Sequence, residues 1–137
     1  AKRKLKDYYG AIADYTKVIE IDPNYIDAYY NRGKAKSKLK DDYGAIADYT
    51  KAIEIDPKYI DAYYNRGGLK QDLKDDYGAI ADYTKAIEID PNNVGAFINR
   101  GISKERLGNL NGACADWKKA AELGNTDAAK WVANDCN

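Results

Sequence analysis

The chain contains no histidine and no methionine, and it has only two cysteines and three prolines in 137 residues. Without histidine, the commonest general base and the commonest transition-metal ligand are missing, and neither a Ser-His nor a Cys-His nucleophile can be built. Two cysteines alone lack the further ligands of a closed zinc site. Charge of one sign is not in excess either: 22 basic and 22 acidic residues are mixed along the chain with no Lys/Arg run. That balance gives no electrostatic reason to expect a nucleic acid or an anionic membrane as partner. No apolar stretch approaches the roughly 18 to 20 residues needed to cross a bilayer, and no charged-then-apolar signal segment opens the chain. The absence of Met even at residue 1 reads as a processed product or an excised piece. No Gly-rich phosphate loop lies between a strand and a helix. The expectation is therefore no enzyme, no catalytic residue, no metal and no cofactor. With free thiols the chain would suit the cytoplasm, but nothing in it is a targeting signal.

What is abundant is repetition. Displacing the sequence by 34 residues superimposes Asp7 to Lys40 on Asp41 to Lys74 with seven mismatches. The segment DDYGAIADYTKAIEIDP occurs identically from Asp41 to Pro57 and from Asp75 to Pro91. A diverged copy follows from Val94 to Gly124. Such a period implies stacked supersecondary units that bury a core only against their neighbours.

Each unit reads as two helices. Ala45, Ile46, Tyr49, Ala52 and Ile53 form a stripe at helical spacing, repeated as Ala11, Ile12, Tyr15, Val18, Ile19 and as Ala79, Ile80, Tyr83, Ala86, Ile87. Pro23, Pro57 and Pro91 follow Ile-Asp and should end that helix, since proline lacks the N–H and its ring collides with the preceding turn. The other helix should start with Asn24 as N-cap and Asp27 in a box-like pairing. Gly33, Gly67 and Gly101 sit inside it at a cost of about 1 kcal/mol each relative to alanine. A close approach of two helices is the expected reason.

With AYYNRG…L…AIADYTKAIEIDP repeated along almost its whole length, the chain resembles the tetratricopeptide repeat family. The resemblance implies an all-α fold, a right-handed superhelical solenoid of antiparallel helix pairs with a C-terminal capping helix. Residues 1–25 would be a truncated first repeat, 26–59, 60–93 and 94–125 three further repeats, and 126–137 the cap, together one domain. The remnant AKRKL would be the end of a first helix and Tyr8 to Ile21 its partner, leaving Ile12, Tyr15 and Ile19 under-covered. Two positions per unit depart from the family pattern, with Arg32, Arg66 and Arg100 before the glycine and Lys36, Lys70 and Lys104 three residues after it. Asp14, Asp48, Asp82 and Asp116 share their period, so Arg–Asp pairs between helix layers are expected.

The family resemblance also implies a concave groove for a protein or peptide, lined by Tyr30, Asn31, Lys34 and Lys38, then Tyr64, Asn65, Gly68 and Asp72, then Ile98, Asn99, Ile102 and Arg106. Asn31, Asn65 and Asn99 would form a ladder of amides suited to an extended main chain. The alternative for these asparagines is local bonding within the helix packing. The lysine and arginine positions of the clamp that grips acidic chaperone tails hold Tyr30 or Tyr64 and Asn99, and Asp27 and Asp61 add negative charge, so no such clamp is expected. Cys114 and Cys136 lie equally far from the turn at Asn125; if the flanking helices are antiparallel the thiols are neighbours, either bonded or free. A bond would argue for an oxidising compartment. A rival to peptide binding is homo-oligomeric assembly, end to end, through the truncated N-terminal repeat.

Overall fold

The computed structural model describes residues 2–136. Among them are eight helices and no strand: α1 (Lys2–Ile21), α2 (Ile26–Lys38), α3 (Asp42–Ile55), α4 (Ile60–Asp72), α5 (Asp76–Ile89), α6 (Val94–Arg106), α7 (Leu110–Glu122) and α8 (Thr126–Asp135). None is long and apolar enough to cross a membrane. The chain divides into two compact units, residues 1–62 and 63–137.

In the first unit α2 packs against α1 and α3. Ala28, Tyr29, Ala45, Tyr49 and Ala52 are buried, the apolar stripes of the sequence turned inward. The Tyr29 hydroxyl donates to the Pro23 carbonyl at 2.9 Å and so ties α2 to the turn that precedes it. Gly33 faces Tyr49: a Cβ there would stand 2.9 Å from the ring's Cε1 and 3.3 Å from the Asp48 Cβ. The helices are close because that position carries no side chain.

The turn from α2 to α3 is a Schellman motif. Asp41 N–H reaches the Lys36 carbonyl at 2.9 Å and Lys40 N–H reaches Ser37 at 3.0 Å. Lys40 occupies the left-handed region at φ 64°, Lys74 repeats this at φ 66°, and Gly108 takes the same position at φ 83°. Asp41 then caps α3 by accepting from the Gly44 N–H at 3.0 Å.

Two expectations fail here. Asn24 is not the cap of α2: Tyr25 stands at that position with no side-chain cap bond. Asn24 falls a residue early, inside the turn, and its own N–H donates to Asp22 Oδ1 at 3.1 Å. Nor is AKRKL a separate helix, since α1 runs unbroken through Leu5, Lys6 and Asp7, the residue types that turn at Leu39-Lys40-Asp41. A left-handed lysine costs about 1 kcal/mol or more. Docking of an antiparallel helix offsets that cost at Lys40, whereas the short segment before Lys6 has no comparable apolar face to dock.

In the second unit α6 packs on α5 and on α7, and α7 on α8. Its core gathers Phe97, Ala113, Cys114, Trp117, Ala120 and Ala128. Gly101 leaves room for Trp117 as Gly33 does for Tyr49. Asn93, Asn109 and Asn125 cap α6, α7 and α8, accepting from Ala96, Gly112 and Ala128 at 3.1, 2.8 and 2.8 Å. Cys114 and Cys136 form a disulfide with Cα atoms 5.6 Å apart. The bond fastens the end of α8 to α7.

Candidate functional site

The unusual arginines and lysines are absorbed by the fold. Arg32 grips Asp48 with two bonds, Nε to Oδ2 at 2.9 Å and Nη2 to Oδ1 at 2.7 Å, and Lys36 Nζ reaches the same carboxylate at 3.1 Å. Arg66 and Lys70 repeat the arrangement on Asp82, and Arg100 and Lys104 on Asp116. Each aspartate is buried, 3% exposed, which is tolerable only because two cations and two fork-like hydrogen bonds surround it. The hydrogen bond to Asp48 holds the Arg32 guanidinium above its ordinary pKa, against the opposing effect of burial. These cations are therefore spent on linking helices. Asp14, one full period earlier, is exposed; the arginine that would face it has no counterpart in the sequence.

What stays accessible lies beside these links. In the first unit Tyr30 sits 5.8 Å from the Tyr49 ring and 5.2 Å, edge-on, from Tyr59, with Lys34 Nζ 5.5 Å above its own ring. Asn31, Lys34 and Lys38 come together with Tyr8, Ala11, Tyr15 and Ala35 around a recess of about 220 Å³. Three of the four expected groove residues of α2 thus share one basic, aromatic-walled depression. Tyr59, packed over Tyr30, is held up to about 12 by burial and then by the neighbouring Asp27.

The second unit uses its polar groups more internally. Asn99 Nδ2 donates to the Tyr64 hydroxyl at 3.1 Å, so part of that amide is occupied. Gln71 Nε2 donates to the Asn99 carbonyl and to the buried Ser103 Oγ, both at 2.9 Å, while Tyr83 donates to Gln71 Oε1 at 3.4 Å. Arg106 donates to the Gln71 carbonyl at 3.2 Å and approaches Asp76 at 3.5 Å. Asp72 is exposed, and Asn65 is half-buried within its own contacts. Ile98 supplies the carbonyl that Trp117 Nε1 approaches at 3.4 Å. Ile102 lines a different recess with Glu105, Trp117, Trp131 and Asp135. Sequence reasoning passed over Gln71 and Ser103; the signal was a break in the repeat, since the first full repeat has Ser37 and Ala35 at those positions.

Models of tetratricopeptide repeats match residues 26–59, 60–93 and 82–115, and a TPR repeat model matches residues 1–40. The Arabidopsis OM64 TPR domain is 32% identical, with a TM-score of 0.72 over 77% of this chain and 88% of that one. The chain belongs to the tetratricopeptide repeat family. Another solved relative, the MamA RS-1 ArsTM double mutant, is 25% identical, with a TM-score of 0.80 over 87% of this chain and 67% of that chain. The first TPR of Spaghetti (RPAP3), bound to an HSP90 peptide, is 24% identical, with a TM-score of 0.73 over 79% of this chain and 87% of that one; this likeness shows the fold alone. No curated protein sequence matches the chain.

Proposed function

We infer that the protein is an interaction scaffold that holds an extended peptide or protein segment, with the exposed face of α2 as the contact surface of the first unit. The observation that carries this reading is the recess at Asn31, Lys34 and Lys38: charged and amide groups left accessible next to tyrosine faces, on a helix whose other cations are neutralised by Asp48. Tyrosine faces with polar tips and unpaired donors are what a peptide main chain and an acidic side chain need. Within the second unit Asn65 and Asn99 would offer contacts of the same kind, with Asn99 contributing through the Tyr64–Asn99 pair rather than as a free amide. Because α2 presents Lys34 and Lys38 while Asp72 of α4 and Glu105 of α6 are exposed, a mixed-charge segment suits the chain better than a wholly acidic one.

Fluorescence anisotropy with a labelled peptide library, set against the acidic HSP90 peptide as comparator, tests this. Mixed-charge peptides should bind, the acidic peptide should not compete, and Asn31→Ala should weaken binding by about 1 to 2 kcal/mol without lowering the melting temperature. Binding that is indifferent to Asn31, Lys34 and Lys38 together would sink the reading.

One observation favours a second reading, end-to-end self-association. Along α1, Leu5, Tyr9 and Ile21 are 46%, 64% and 85% exposed, and Ile12, Tyr15 and Ile19 are half-buried, so this helix offers an apolar face to another copy. Solution mass measured against concentration decides it, since a monomer throughout the range leaves the scaffold reading alone.

A further inference from the structure

The recess in the second unit has a different chemistry from the one in the first. It is about 240 Å³, with walls of Ile102, Trp117 and Trp131 and with Glu105 and Asp135 at its edge. The two indoles meet edge to face with centroids 5.5 Å apart. Trp117 is fixed in the core at 3% exposure, whereas Trp131 is half-exposed. Among the described residues neither Glu105 nor Asp135 is tied into an ion pair. The two basic residues that flank Glu105 are engaged elsewhere: Lys104 on Asp116 and Arg106 on Asp76.

Helix geometry adds to this charge. Glu105 lies in the last turn of α6 and Asp135 ends α8, so the partial negative charge of two helix C-termini falls at the same place as two carboxylates. Nothing in the packing of the unit requires either acid, since both are exposed. The wall is also held covalently, because Cys136, next to Asp135, is bonded to Cys114 of α7. An aromatic recess with an acidic rim is complementary to a cation carried on an apolar stem: the stem covers the indoles while the charged head meets the carboxylates.

We propose that this recess binds a basic side chain, an arginine or lysine, of a partner protein segment. The occupant follows from charge complementarity: an anionic or purely apolar side chain would leave Glu105 and Asp135 repelling it or desolvated without compensation. The site belongs to the second unit by itself and stands whether or not the face around Asn31 binds peptide.

The test is simple because Trp117 and Trp131 are the only tryptophans in the chain. Selectively excited tryptophan emission is followed while the intact, oxidised protein is titrated with N-acetyl-arginine amide, and in parallel with N-acetyl-citrulline amide, its neutral isostere, at constant ionic strength. A saturable change with the arginine compound and none with citrulline is expected, with N-acetyl-lysine amide behaving like arginine. Glu105→Gln and Asp135→Asn should each weaken binding about tenfold, the scale of one lost charge-assisted contact. Glu88→Gln, which touches only the exposed Lys85 pair, should leave it unchanged. An equal response to citrulline, no saturable response at all, or full affinity in the E105Q/D135N double variant would overturn the proposal. Thermal melts of the variants are expected to match the parent, since both acids are exposed.

Discussion

At the scale of single residues the organising feature is a buried carboxylate shared by two cations. Removing the anion alone leaves Arg66 and Lys70 facing each other with their Asp82 partner gone, and an uncompensated buried charge costs about 3 kcal/mol or more. Asp82→Ala should therefore lower stability by about 3 kcal/mol in denaturant unfolding. Glu88→Gln, at the exposed 3.6 Å pair with Lys85, should change it by no more than about 0.5 kcal/mol. The Arg–Asp pairing was legible in the sequence because both partners recur with one period. The lysine's share in it was not, because its flexible stem could equally have carried the charge to water. Two tyrosines make a second prediction. Tyr83 is raised above its ordinary value of 10.0, chiefly by burial, and Tyr59 is pushed up to about 12 for the same first reason. An acid whose folded pKa lies above its unfolded one binds its proton more tightly when folded. Its contribution is thus complete below about pH 10 and declines as pH rises from there towards 12. Stability should fall with pH across that window, and phenolate absorbance should rise in step with unfolding for these two residues. Ionisation of all tyrosines at pH 10 with the fold intact would contradict it.

Among the elements, α1 shows how far local sequence leaves structure open. Leu-Lys-Asp followed by Tyr-Gly-Ala-Ile turns at Lys40 and runs straight on at Lys6, so the turn is decided by what docks against it. The same contrast separates two glycines. Gly10 lies inside α1 with nothing within 4 Å of a Cβ built on it, whereas a Cβ at Gly33 would stand 2.9 Å from Tyr49 Cε1 and 3.2 Å from its Cδ1. Gly10→Ala should gain about 1 kcal/mol from helix propensity alone. At Gly33→Ala the same gain is outweighed by overpacking of about 1 to 3 kcal/mol, because Tyr49 is 2% exposed and has nowhere to move. Opposite shifts in melting temperature are expected; a gain at both positions would mean that the Tyr49 ring yields easily. The close approach at Gly33 was readable from a glycine inside an apolar period. The helix start at Tyr25 was not, because Asn24 is the residue type that caps helices, whereas in the folded turn its N–H donates to Asp22 Oδ1 and the cap position falls one residue later, on Tyr25.

Taken as a whole molecule, the chain should lose structure from its least-supported helices inward, since a repeat fold is stabilised mainly by nearest neighbours. Within the second unit, α7 packs on α6 and α8, whereas among the described residues α8 packs chiefly on α7 and is held at its end by the disulfide. Closing a loop over a sequence separation of 22 residues contributes roughly 3 kcal/mol in the chain-entropy account. The period revealed the helix pairs and placed the two thiols opposite each other, but whether they bond depends on a crossing angle that no periodicity encodes. Native-state hydrogen exchange should find the strongest protection at the amides of Ala113 to Ala120 in the second unit and of Tyr49 and Ala52 in the first. Adding reductant should then accelerate exchange in α8 by up to about 100-fold, the equivalent of roughly 3 kcal/mol, with a smaller effect in α7 and none in α3. The gradient follows from the staple acting on one nearest-neighbour interface. Equal acceleration in both units would instead mean that the chain opens as a single cooperative body, and no acceleration in α8 would mean that Trp131 and Ala128 alone hold that helix in place.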